Sequence, residues 1–233
     1  MNKYVALIPA YEPDEELLAL LPRLCEAGFD TVVVDDGSGE GYAHLFAEAE
    51  KYGKVISYTP NRGKGYALKK GFEYILGAYG ENCVTVTVDA DGQHRSSDAL
   101  KLCKQAEEYP QALVMGSRSF TGDVPARSRF GNNVTRTVFH VCSGKRIYDT
   151  QTGLRAFSGK LIPVMLEIDG DRYEYEMRML LELVHRGIAI EEMEIPTIYI
   201  NENSASHFRP GRDSLRIYKE IFKFTLTPKK RKK

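Results

Sequence analysis

Continuous apolar or β-branched runs recur along the chain, and most are followed by a stretch in which apolar residues return every three to four positions. Tyr4–Ile8 and Thr31–Val34 are such runs; between them Leu17, Leu18, Leu20, Leu21 and Leu24 fall at helical spacing, with Gly28 as the stop. The alternation predicts a strand at Val55–Tyr58, a helix over about residues 65–76, a strand at Val84–Val88, a helix near 98–108 and a strand at Leu113–Gly116. Strands with no polar face need cover on both sides. The order therefore predicts an α/β protein: a Rossmann-like, mostly parallel sheet with helices on both faces. After Arg118 the rhythm changes to a polar stretch through Asp123, a basic Arg127-Ser128-Arg129 and a helix-like Asn132–Cys142. A long helix over about 173–185, a strand-like Ile188–Ile200 and an amphipathic Leu215–Leu226 complete the pattern. In that last segment Leu215, Ile217, Ile221, Phe222 and Phe224 suit either a core or a membrane surface.

Length and charge narrow the class. At 233 residues without an internal repeat, one domain is the expectation. Lys plus Arg equals Asp plus Glu at 32 each, so no global field points to a specific nucleic-acid partner, although Pro228–Lys233 concentrates positive charge. Cys25, Cys83, Cys103 and Cys142 show no metal-ligand spacing and suit buried thiols in a reducing cytosol. The apolar run at the start is too short for a signal peptide and reads as a first strand. No run is long enough to span a bilayer, so a soluble or surface-bound protein is expected.

In parallel sheets ligands bind beyond the carboxyl ends of the strands, and the polar clusters of this chain fall there. Pro9-Ala10-Tyr11-Glu12 follows the first predicted strand, Asp35-Asp36-Gly37-Ser38 the second and Asn61-Arg62-Gly63-Lys64-Gly65 the third. Asp89-Ala90-Asp91 follows the fourth and Gly116-Ser117-Arg118 the fifth. Residues two apart on an extended backbone point the same way, so Asp89 and Asp91 can converge on one hard cation. An acidic pair there also suits a turn and helix cap, since Asp91-Gly92 is ordinary turn chemistry. A phosphatase-type Asp-x-Asp nucleophile fits less well, because that motif sits on a first strand. Glu12 and one of Asp35 or Asp36 can accept from a base N–H or a ribose hydroxyl, with Gly37 letting backbone approach the ligand; either Asp can instead cap a helix. The Asn61–Gly65 stretch suits a phosphate or a base edge but lacks Walker spacing.

These clusters in order, with Gln93 and Asp149-Thr150-Gln151-Thr152-Gly153, resemble family 2 glycosyltransferases, and within them the polyprenyl-phosphate enzymes of the dolichyl-phosphate mannosyltransferase type. The resemblance spans about residues 4–200 and implies a single-domain GT-A fold over 1–226, with a donor-binding half at about 1–118, an acceptor half at about 119–226, and a basic tail at 227–233. By resemblance, Pro9, Tyr11, Glu12, Asp35, Asp36 and Lys64 line the nucleotide, and Asp89 and Asp91 hold Mg2+ or Mn2+ and the diphosphate. Gln93 and Asp149 border the donor sugar, and Arg118, Arg127 and Arg129 grip an acceptor phosphate. Arg127, Arg129 and Arg136 also suit a solvated helix face. The loop after the last predicted strand departs from the mannosyltransferase pattern; it reads as a lid carrying His207 and Arg209.

The implied activity is inverting, metal-dependent transfer of a hexose from a UDP- or GDP-sugar to a polyprenyl phosphate. It would be cytoplasmic or peripheral at the inner face of the plasma membrane, through membrane contact of the tail or a membrane-protein partner. An anionic lipid phosphate needs no strong base, whereas a glycan or protein hydroxyl acceptor would, with Asp149, Glu174 and Glu176 as candidates. Glu174 and Glu176 do not share a helical face, so at most one enters the site. A third alternative is a nucleotide-sugar-binding partner of a membrane protein with little activity of its own.

Overall fold

The computed structural model describes residues 2–118 and 126–196 together with Tyr218, Lys219, Phe222 and Lys223; side chains of residues 126–134 lie outside the description. The alternating pattern becomes β1 (Lys3–Ala10), α1 (Glu16–Glu26), β2 (Asp30–Asp35), α2 (Ala43–Ala49), β3 (Gly53–Ser57), α3 (Lys64–Tyr79), β4 (Cys83–Thr87), α4 (Ser96–Glu108) and β5 (Ala112–Arg118). The second half supplies α5 (Ala126–Ser143), β6 (Arg155–Ser158), α6 (Ile162–Leu166), α7 (Glu174–Arg186) and β7 (Ala189–Ile195).

These strands form one seven-stranded sheet in the order β3-β2-β1-β4-β6-β5-β7. Every pairing is parallel except those of β6, which runs against both β4 and β5. The six parallel strands end at one rim. Because β6 runs the other way, the segment that enters it arrives at that same rim.

Apolar strands are covered on both faces, as their composition requires. On one face α1, α2 and α4 bury Leu17, Leu21, Leu24, Phe46, Leu102 and Ala106 against Ile8, Val33 and Val86. On the other, α3, α5, α6 and α7 bury Phe72, Ile75, Phe139, Met165 and Leu180 against Leu7, Val32 and Phe157. All four cysteines are free; Cys83 and Cys103 are buried, and burial pushes both thiols up.

Three elements go beyond the sequence pattern: α2, α6 and β6. The helices are a turn or two long, too short for a periodicity to show. β6 is four residues that begin with an arginine, yet it lies between β4 and β5 and is wholly buried. Of the amphipathic segment over 215–226, Tyr218 is partly buried against the second of these two cores, while Phe222 is exposed. Residues 197–200, the loop with His207 and Arg209, and the basic tail lie outside the described residues. No helix among the described residues is long and apolar enough to cross a membrane.

Candidate active site

Two residues past the last position of β4, the Asp89 carboxylate meets a lysine that enters from α3. Lys64 Nζ lies 2.7 Å from Asp89 Oδ1 and 2.9 Å from Glu176 Oε2 on α7, so one ammonium bridges two carboxylates. All three side chains are mostly buried. Burial works against the charge on Lys64, but Asp89 and Glu176 hold the ammonium well above the ordinary lysine range. Burial likewise opposes ionisation of Asp89, but Lys64 and then His94 hold its carboxyl well below the usual carboxylate range. His94 Nε2 stands 3.8 Å from Asp89 Oδ2, and its Nδ1 is buried with no hydrogen-bond partner among the described residues.

Asp91 is presented by a turn. Its Oδ1 accepts from the Gln93 N–H at 3.1 Å and Gly92 takes φ 72°, so the turn chemistry and the half-buried carboxylate are one feature. Burial, and next the charge of Asp89, push the Asp91 carboxyl up. Two acidic groups are thus held close enough to disfavour each other.

The β2 rim divides its two aspartates between different tasks. Asp36 accepts from the Tyr58 hydroxyl at 2.8 Å, Asn61 Nδ2 at 2.9 Å, Arg62 N at 2.8 Å and Gly63 N at 2.7 Å. A carboxylate offers about four acceptor sites, so this one is spent on clasping the β3–α3 loop. Asp35 accepts from Ser38 N at 2.9 Å on Oδ1, which leaves it acceptor capacity toward a ligand. Gly37 at φ 72° serves the clasp as well: a Cβ built there would fall 2.5 Å from the Asn61 backbone nitrogen, so the close approach is to the neighbouring loop. Asp36→Ala is expected to cost roughly 3 kcal/mol by stranding buried donors, read as a lower urea midpoint with an unchanged slope.

Beside this clasp the first rim loop is strained. Glu12 adopts φ 47° while its N–H donates to Ser38 Oγ at 2.8 Å. A non-glycine residue held there costs of order 1 kcal/mol and marks a place where backbone geometry is imposed by its surroundings. Tyr11 leans on the same residue, and its hydrogen bond to Glu12 pushes the phenol up.

The entry to β6 closes the site from the opposite side. Asp149 is fully buried and takes a two-pronged contact from Arg118, Nε to Oδ2 at 2.6 Å and Nη2 to Oδ1 at 3.0 Å. Gly153 lies against Asp89, and a Cβ added to it would collide with that carboxylate. Its carbonyl accepts from Thr87 Oγ1 at 2.7 Å, which pins the loop to β4. Arg155, also buried, donates from Nε to Thr152 O at 3.0 Å and from Nη1 to Glu176 O at 2.9 Å, binding this loop to α7. The sequence reading singled out neither His94 nor Arg155. Arg155 follows Gly153 by two positions, the one signal of its place.

The rim thus gathers Pro9, Tyr11, Glu12, Asp35, Asp36, Lys64, Asp89, Asp91, Gln93, Arg118 and Asp149 around the ends of β1–β5. Arg127 and Arg129 lie in the α5 backbone with side chains outside the description, as are His207 and Arg209. Of the two glutamates on α7, Glu176 enters the site, while Glu174 Oε1 accepts from the Asp171 and Arg172 N–H groups before the helix. No cluster of three or more His, Cys, Asp or Glu side chains among the described residues is arranged to hold a metal. The candidate donor pair is Asp89 and Asp91. Mg2+-like ions commonly use one or two carboxylates and take their remaining ligands from water and substrate phosphates, so this pair fits such an ion together with a diphosphate. Burial of Asp91, and next the charge of Asp89, push its carboxyl up, a penalty that a cation between the two would relieve.

A mostly parallel sheet with an Asp-x-Asp turn on its carboxyl rim and one reversed strand that brings a second acidic loop to it has the GT-A architecture of glycosyltransferases. Residues 5–167 match the family described as Glycosyl transferase family 2, and the chain belongs to that family. It is similar to the UDP-N-acetylglucosamine–dolichyl-phosphate N-acetylglucosaminyltransferase of Methanococcus voltae, 30% identical over 85% of this chain and 87% of that protein. The dolichyl-phosphate β-glucosyltransferase of Saccharomyces cerevisiae is 24% identical over 92% of this chain and 72% of its own length. Among solved structures, glucosyl-3-phosphoglycerate synthase from Mycobacterium tuberculosis, in complex with Mn2+, UDP and glucosyl-3-phosphoglycerate, superposes with a TM-score of 0.71. That match covers 97% of this chain and 79% of the synthase at 15% identity. The protein is a glycosyltransferase.

Proposed function

We propose that this glycosyltransferase moves a hexose, with inversion, from a UDP- or GDP-sugar to a polyprenyl phosphate at the cytoplasmic face of a membrane. The observation that carries the acceptor reading is the state of the rim carboxylates. A hydroxyl acceptor needs a carboxylate free to take a proton, whereas a lipid phosphate is already anionic. Asp149 is engaged on both oxygens by Arg118, and Glu176 is bridged to Lys64. Glu174 keeps a buried Oε2 without a described partner, but it sits at the start of α7 with Oε1 on the Asp171 and Arg172 N–H groups, and the glutamate of α7 that reaches Lys64 is Glu176. The names of the two dolichyl-phosphate relatives support the same acceptor class.

In this reading Glu12 and Asp35 accept from the nucleoside, and the rim backbone of Pro9 and Tyr11 borders it. Asp89 and Asp91 hold a divalent cation, Mg2+ or Mn2+, which when bound supplies charge neutralisation to the leaving diphosphate. Gln93 and Asp149 border the sugar, and Arg118, held rigid by Asp149, turns its guanidinium edge to the acceptor phosphate. By the family resemblance, Arg127 and Arg129 are assigned to the same phosphate and His207 and Arg209 to the donor, on side chains outside the described residues. The acceptor oxygen attacks the anomeric carbon from the face opposite the diphosphate, and the carbon–oxygen bond to the diphosphate breaks, so no proton need move. Exposed Phe222 with Lys219 and Lys223 beside it suits a peripheral contact with lipid.

The test is transfer of label from UDP-glucose, UDP-N-acetylglucosamine or GDP-mannose, with Mn2+ or Mg2+, into vesicles containing polyprenyl phosphate. Organic-extractable, mild-acid-labile sugar from one donor is expected. Label that passes only to glycan or protein hydroxyls would replace the acceptor assignment. Absence of transfer by folded protein that still binds a nucleotide would leave the binding-partner alternative in its place.

A further inference from the structure

We propose that Lys64 is the resident counter-ion of Asp89, which a divalent cation must displace, so that the protein takes up the cation cooperatively with a nucleoside diphosphate and only weakly without one. The inference rests on the donor site proposed above and deepens it, since it assigns the order and coupling of ligand uptake to one residue. Lys64 Nζ sits 2.7 Å from Asp89 Oδ1, on the carboxylate that a cation would need. The other oxygen, Oδ2, faces His94 Nε2 at 3.8 Å. Both oxygens of Asp89 are therefore already addressed by the protein.

Alone, the remaining donors hold a cation poorly. Asp91 is the second carboxylate, and no third group among the described residues completes a cluster. A metal ion that arrives by itself must share a partly buried carboxylate with an ammonium of like charge. A nucleoside diphosphate changes that balance, because its negative charges face both cations at once.

The geometry gives Lys64 somewhere to remain. Glu176 Oε2 is 2.9 Å from the same nitrogen, so leaving Asp89 does not strand the ammonium. The backbone before Lys64 is tied down, with the Arg62 and Gly63 amides on Asp36, and Gly65 packed where a Cβ would meet the Tyr175 side chain at 2.5 Å. Only the lysine side chain has to swing. Such an exchange couples two ligands reciprocally: the nucleotide tightens the metal by the same factor as the metal tightens the nucleotide.

The experiment is titration of Mn2+ by the loss of its free-ion electron spin resonance signal, for wild type, Lys64→Met and Lys64→Arg, each alone and with UDP or GDP. Wild type is expected to bind Mn2+ weakly alone and at least ten-fold more tightly with one nucleotide. Lys64→Met should bind nucleotide-free Mn2+ at least ten-fold more tightly than wild type and gain less from the nucleotide, while Lys64→Arg, which keeps the cation, should behave like wild type. If wild type responds to the nucleotide but Lys64→Met alone binds Mn2+ no better than wild type, the counter-ion assignment is overturned and the donor site stands. If no nucleotide draws Mn2+ onto folded wild type, the donor site itself falls, and the assignment with it.

Discussion

Asp91→Asn is expected to lower transfer roughly 10³-fold or more while leaving the protein at least as heat-stable as wild type. The loss follows from removing one of two hard anionic ligands where charge develops on the leaving diphosphate; 10³-fold corresponds to about 4 kcal/mol of transition-state stabilisation, within what a Lewis acid supplies. The stability follows from the sign of the shift. Burial and the charge of Asp89 raise the Asp91 carboxyl in the folded protein. A raised carboxyl favours folding below its unfolded value and loses that contribution as pH rises through the folded value. At neutral pH the ionised group is therefore a burden that Asn lacks, and Asn keeps an Oδ1 to accept from Gln93 N. Melting curves of the two proteins should converge toward acid and separate in favour of Asn toward neutral pH. A variant that turns over like wild type, or melts lower at neutral pH, would contradict this account.

Gly153→Ala is expected to damage both turnover and stability, because the added methyl group meets the Asp89 carboxylate itself. The added Cβ would lie 2.5 Å from Asp89 Cγ and closer still to Oδ2. Either the loop entering β6 must recede, against the Thr87 hydroxyl that holds its carbonyl, or Asp89 must turn away from Lys64. A displacement of about 1 Å at a reacting centre can cost roughly 10²-fold in rate, and overpacking typically costs about 1–3 kcal/mol. Steady-state kinetics and thermal melting read both effects. Gly77→Ala is the control: a Cβ there meets nothing within 4 Å, and alanine suits a helix interior, so its stability should hold or rise. Equal losses in the two variants would show that the crowding at Asp89 has no special role.

Much of the donor rim was legible because parallel strands carry their polar residues to one edge by rule. Strand-then-polar-cluster spacing puts Glu12, Asp35, Lys64 and Asp89 together without any knowledge of packing. Less was legible where geometry depends on partners remote in sequence. The pattern left Asp35 and Asp36 interchangeable, and only the approach of Tyr58 and the Asn61–Gly63 loop shows that Asp36 is filled by the protein. It also treated Glu176 as a candidate base, while the fold joins it to Lys64 from a different helix.

By itself the sequence determined the layer architecture, the parallel rim and the acidic turn at Asp89–Asp91, because each follows from local periodicity and from residue types that a short stretch of chain specifies. The tertiary structure alone decided that β6 runs backward, since a buried Arg155 satisfied by carbonyls of its own loop and of α7 makes a strand that no hydrophobic pattern announces. It likewise decided which charges meet. Coulomb energy depends on separation in space, and the 2.7 Å between Lys64 and Asp89 is set by the packing of α3 across the sheet.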